Sequence, residues 1–139
     1  MNAAKIGSRK LIITLTLGVI LLELYDLIQE TQGDFGNGIL FYIDEHLQPY
    51  PLIFYPLLYV MTFLLGRSAG KKILIDGKSY LTIALQYSFL SVTLITLYSL
   101  VWSLIEPMEF SILSFITISV SIFLVWILAG YAIHKSSIK

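Results

Sequence analysis

Four long apolar stretches, residues 11–30, 50–65, 80–104 and 110–133, constrain this chain more than any other feature. The hydrocarbon core of a bilayer is about 30 Å thick and takes roughly 20 helical residues to cross. Backbone in lipid has no water to bond, so each stretch is expected to close its own hydrogen bonds as a helix. Composition agrees, with 57% of residues apolar and 13% charged, where a soluble domain carries about 25% charged. The sequence therefore reads as an all-α membrane protein, one four-helix transmembrane domain over residues 1–139 with no internal repeat and no low-complexity tract.

The order of the charges predicts the orientation. Lys5, Arg9 and Lys10 precede the first stretch, Arg67, Lys71, Lys72 and Lys78 fill the link between the second and third, and Lys135 and Lys139 follow the fourth. Glu30, Asp34, Asp44 and Glu45 lie in the first link and Glu106 and Glu109 in the third, with only Asp76 among the basic residues. Four crossings put the three basic regions on one side, which the positive-inside rule assigns to the cytoplasm, so both termini are expected inside. A bacterial inner membrane is the expected location. Lys5, Arg9 and Lys10 also resemble the start of a signal peptide, but Glu23 and Asp26 stand where small cleavage-site residues belong, so the segment is expected to be retained. The absence of cysteine excludes disulfides and thiolate chemistry from these residues.

The links differ in character. "IEPME" is short enough for a tight turn, so the third and fourth helices are expected to form an antiparallel hairpin. In the first link "ILFYIDEHL" is too short to span and is expected to lie in the interface as a helix or strand. Pro51 and Pro56 mark the entry and a kink of the second helix. Tyr42, Tyr50, Tyr55, Trp102, Trp126 and Tyr131 are candidate interface anchors.

The middle link, "GRSAGKKILIDGKSY", has the look of a phosphate loop only at first sight. A Walker motif has four residues between its glycines and Ser or Thr after its lysine, whereas three intervene here and Lys72 follows Lys71. Neither nucleotide nor nucleic acid is an expected partner. Gly66 instead reads as a helix end, with Arg67, Lys71 and Lys72 as candidates for holding anionic lipid headgroups, and Asp76-Gly77 as a tight-turn pair. Gly66, Ser68, Gly70, Lys71 and Lys72, with Leu74 and Asp76-Gly77, resemble the G-x-[ST]-x-G-K-[KR] stretch and Asp-Gly turn of RDD-family membrane proteins. That resemblance implies a cytoplasmic position for the stretch, after the second span; transport is suggested for some members of the family.

Glu23 and Asp26 interrupt the first apolar stretch, and an intramembrane carboxylate is costly unless something receives it. Glu23, Asp26 and Glu30 are spaced i, i+3, i+7 and share one helix face. Glu23 lies about 18 Å along the helix from Leu11, slightly past the midplane. Tyr55, Thr93, Thr96 and Thr117 are the candidates for holding it, and Asp26 and Glu30 for an acidic approach from outside. On the third helix Thr82, Gln86, Thr93, Thr96 and Ser103 are read as one stripe, and on the fourth Ser114, Thr117 and Ser121 as another, both serving helix packing. His46 and His134 fall on opposite sides and are each expected at the surface, so no shared metal is predicted. No cofactor and no enzymatic activity are expected. The leading expectation is an accessory subunit, or an assembly or immunity factor, in a larger membrane complex. The alternative is an oligomeric proton- or cation-coupled transporter or channel that uses Glu23.

Overall fold

The computed structural model describes residues 2–31, 35–105 and 112–136, which form five helices and, among the described residues, no strand. They are α1 (Ala3–Glu30), α2 (Phe35–His46), α3 (Pro49–Leu74), α4 (Tyr80–Ser103) and α5 (Ile112–Lys135). Four of them, all but α2, are long and apolar enough to cross a membrane. The tight turn expected in the third link falls on residues 106–111, outside the described residues.

Two helices are longer than the apolar stretches predict. α1 begins at Ala3, not Leu11, because the Asn2 side chain caps it by accepting from the Ala4 N–H at 3.0 Å. Lys5, Arg9 and Lys10 are thus part of the helix. α3 runs nine residues beyond the expected end at residue 65, through the first part of the stretch read as a loop. Gly66 does not end it. Gly66 and Gly70 are interior helical residues, and the helix continues because Ala69 and Ile73 bury their side chains on its inner face. The Asp76-Gly77 turn does stand where expected, with Gly77 at φ 64°, a left-handed conformation that glycine adopts freely.

The pairing of residues shows how the helices run. Gly7 lies against Gly66 and Gly70, Thr16 bonds Tyr59, and Glu23 bonds Tyr55, so α1 and α3 are antiparallel. Tyr80 stacks near Tyr131 and His134 while Tyr87 packs on Trp126, which makes α4 and α5 antiparallel as expected. Tyr87 meets Ser68 and Tyr98 meets Tyr50, so α3 and α4 are antiparallel too.

Packing is concentrated at one end. The core consists of Leu11 of α1, Ala69 and Ile73 of α3, Ile83, Ala84 and Tyr87 of α4, and Trp126, Ala129 and Ile133 of α5. All lie in the half of their helix nearest the basic residues. The cause is side-chain size. Ala4, Gly7, Ser8, Gly66, Ala69, Gly70, Ala84, Ser88, Ser91, Ala129 and Gly130 are all buried there, and small residues let helix backbones approach closely. At the opposite, acidic end large residues such as Leu17, Leu21, Leu57 and Leu97 face outward, and α3 and α4 leave between them an apolar cavity of about 170 Å³ lined by Phe54, Leu58, Met61, Leu94 and Tyr98.

Trp126 is not an interface anchor. Its ring is 4% exposed and its Nε1–H donates to Ser91 Oγ at 3.0 Å, the partner a buried indole needs. The predicted α4 stripe is displaced as well. Thr82, Gln86, Thr93 and Ser103 face outward, and the buried serines of α4 are Ser88 and Ser91. The wider aromatic belt near the acidic end joins α3 to α4, with Tyr50 in contact with Phe54, Tyr98 and Trp102.

Candidate functional site

Glu23 stands near the acidic end of α1, and three donors converge on its carboxylate. Tyr55 of α3 donates its phenol O–H to Oε1. Tyr42 of α2 donates to Oε2 at 2.6 Å, and His46 Nε2 lies 2.7 Å from the same oxygen. α2 supplies two of the three because residues 42 and 46, four apart, share a helix face. α3 supplies the third just before Pro56, near the start of the helix that faces α1.

His46 carries more information than a hydrogen bond. Its Nδ1 lies 2.8 Å from the carbonyl oxygen of Tyr42, an atom that only accepts, so Nδ1 bears a hydrogen. Its Nε2 faces a carboxylate oxygen. With acceptors at both ring nitrogens the arrangement fits an imidazolium beside an ionised carboxylate, a charge-assisted ion pair. The side chains remain 31% and 23% exposed for His46 and Glu23, so water reaches the pair from the protein surface. Burial, then the hydrogen bond to Glu23 and the charges of Glu23 and Asp26, push the Tyr42 phenol up to about 12, so it stays a donor at any physiological pH. The Tyr42 and His46 rings also lie against each other, tilted by 33° with their centres 4.1 Å apart.

Of the residues that the sequence nominates as partners of Glu23, Tyr55 is brought to it and the threonines are not. Thr93 donates to the Phe89 carbonyl and Thr96 to the Val92 carbonyl of their own helix, a local bond open to any helical threonine. Thr117 is exposed on α5. Asp26 is exposed on α1, close enough for its charge to act on Tyr42. Glu30 ends α1, and its side chain lies outside the described residues.

His46 keeps part of the surface exposure expected of it, and because α2 folds back against α1 its ring also reaches Glu23, a contact that the sequence reading leaves out. The signal was present in the sequence. Tyr42 and His46 sit at i, i+4 in the link that follows the first apolar stretch.

The headgroup candidates lie at the other end. Arg67 and Lys71 are exposed, the Arg67 guanidinium sitting 5.6 Å from the Phe63 ring centre. Lys72 is half-buried with its ammonium 4.9 Å from the Tyr87 ring centre, a cation–π contact across α3 and α4. The Tyr87 hydroxyl in turn bonds Ser68 Oγ at 2.6 Å. Lys72 is thus tied into the bundle, while Arg67 and Lys71 reach outward.

No family model, no curated protein and no solved structure matches this chain.

Proposed function

We propose that this chain is an accessory subunit, or an assembly or immunity factor, of a larger membrane complex, crossing the inner membrane of a bacterium with both termini in the cytoplasm. The observation that carries the reading is the state of Glu23. Both of its oxygens accept from donors of the same chain, Tyr42, His46 and Tyr55, which make it a tie between α1, α2 and α3. The cavity between α3 and α4 is apolar and offers an ion no ligands. The half of the bundle near that tie keeps large apolar side chains on its outside, where lipid or the helices of another subunit would cover them. The likeness of residues 66–77 to RDD-family proteins belongs to this reading as a proposal, and rests on those residues.

Purification in mild detergent after brief chemical cross-linking tests the role: other membrane chains are expected to accompany this one in fixed ratio. Recovery as a homo-oligomer alone, with proton flux after reconstitution, would overturn it. The alternative reading, proton- or cation-coupled transport, is favoured by one observation, the partly exposed Glu23–His46 pair, whose two groups both exchange protons with water.

The orientation is tested separately. The chain has no cysteine, so single cysteines at Asp44 of α2 and Ser136 after α5 report unambiguously. In intact cells an impermeant thiol reagent is expected to label position 44 and spare 136; the reverse pattern overturns the N-in, C-in arrangement.

A further inference from the structure

We propose that the Glu23–His46 ion pair is a proton-operated latch that holds α2 across the acidic ends of α1 and α3, closed only while the carboxylate is ionised and the imidazole is doubly protonated. The proposal goes beyond the subunit role and does not depend on it.

Two observations carry it. The first is the geometry of the pair: acceptors face both nitrogens of His46 at 2.8 and 2.7 Å, and donors face both oxygens of Glu23. Adding a proton to the carboxylate removes the negative charge that three donors share. Taking a proton from the imidazolium leaves one ring nitrogen with a lone pair aimed at an acceptor. Either step weakens the same contact, so the latch has an acid edge and an alkaline edge. The second observation is what else holds α2. None of its residues joins the apolar core; Phe35, Leu40, Phe41 and Ile43 are all exposed, and Gly38 is its buried residue. Two residues, Leu47 and Gln48, connect it to α3. The polar tie joins the C-terminal half of α2 to both α1 and α3.

The charged and titratable groups around the pair allow no substitute cation. α1 presents Glu23 and the exposed Asp26, α3 presents Tyr55, and α2 itself presents Tyr42 and His46, with Asp44 and Glu45 exposed. His46 is the one cationic group among them. When the pair opens, none of these groups supplies a positive charge in its place. A helix released in this way would uncover Tyr55 and the ends of α1 and α3 on the outer side.

The test measures the distance between α2 and the bundle in the full chain, using paired spin labels on cysteines introduced at Glu45 of α2 and Thr93 of α4, both exposed. A second pair at Lys78 and Lys135, on the packed end, reports whether the bundle itself persists. Measurements run from about pH 4 to about pH 9, either side of the ordinary carboxyl and imidazole pKa values of about 4.3 and 6.5. The 45–93 distance is expected to be narrow in a middle window and to lengthen by about 5 Å or more, half a helix diameter, at both extremes. The 78–135 distance stays constant. His46→Phe, which keeps a ring and loses the charge, is expected to give the long, broad 45–93 distribution at every pH. A wild-type distance that ignores pH overturns the latch. So does a His46→Phe variant as narrow as the wild type, or a 78–135 distance that moves together with 45–93.

Discussion

Alanine at Gly7 or at Gly70 is expected to separate α1 from α3, with a loss of about 3 kcal/mol or more, large for a single methyl group. A Cβ added at Gly7 would lie 2.6 Å from both the Cα and the N of Gly70, and one added at Gly70 would lie 2.9 Å from the Cα and N of Gly7. Every one of these neighbours is backbone, so no rotamer change relieves the contact and one helix must move. The same methyl group meets less elsewhere. At Gly66 it would stand 2.8 Å from the Cα of Ser8, at Gly130 3.3 Å from the Tyr80 carbonyl oxygen, and at Gly18 3.4 Å from a Val125 methyl carbon. The last is ordinary packing, and Ala there recovers up to about 1 kcal/mol of helix propensity. Thermal unfolding in detergent should therefore rank the variants with Gly7→Ala and Gly70→Ala lowest, Gly66→Ala next, Gly130→Ala above them and Gly18→Ala at or above the wild type. Equal midpoints for Gly7→Ala and Gly18→Ala would show that α1 and α3 do not cross on bare backbone.

The second large effect is expected at Glu23. Glu23→Leu removes the common acceptor of Tyr42, His46 and Tyr55 and leaves three donors facing an apolar group. Orphaned donors, one of them a cation, cost about 1–3 kcal/mol each. The leucine recovers the carboxylate's own desolvation, and water reaches the site, so a net loss of about 2–4 kcal/mol is expected. Glu23→Gln keeps a carbonyl oxygen for a tyrosine and an amide in place of the other oxygen; it should lose about half as much. The pair of variants also separates the two functional readings. In an accessory subunit Glu23→Gln keeps the activity of the assembly and Glu23→Leu weakens association. In a coupled transporter Glu23→Gln assembles normally and abolishes flux. A Glu23→Leu protein as stable as the wild type would remove the tie between α1, α2 and α3 from any structural role.

What could be read from the residues follows the strength of the physics behind each signal. Long apolar stretches have one solution in lipid, so the four long apolar helices and a separate short segment after the first were legible, as was the antiparallel pairing of the last two. Helix ends were less so. A glycine among lysines after an apolar stretch looks like a helix stop, and Gly66 was read that way, although G-x-x-x-G spacing is equally a signature of close helix packing. Which meaning applies depends on whether another backbone is there to be met. Gly7 is that backbone, some sixty residues earlier in the chain.

The site divides along the same line. That Glu23 needs a partner follows from the sequence alone, since a carboxylate in an apolar stretch has a desolvation cost wherever the helix goes. Tyr55 could be nominated because its depth in the membrane can be counted at 1.5 Å per residue. Depth says nothing about which face of a neighbouring helix turns inward, so Thr93, Thr96 and Thr117 were equally eligible, and the threonines of α4 settle on their own carbonyls instead. His46 lay outside the count altogether, because an interfacial segment has no fixed depth or direction until it packs. The residues by themselves determined that this chain makes four apolar helices with an acid in the first, because hydrophobicity and helix length act locally. Only the tertiary structure decided that α2 folds back on α1 and brings a histidine to Glu23, because that contact joins residues 23 apart through a turn whose direction local forces leave open.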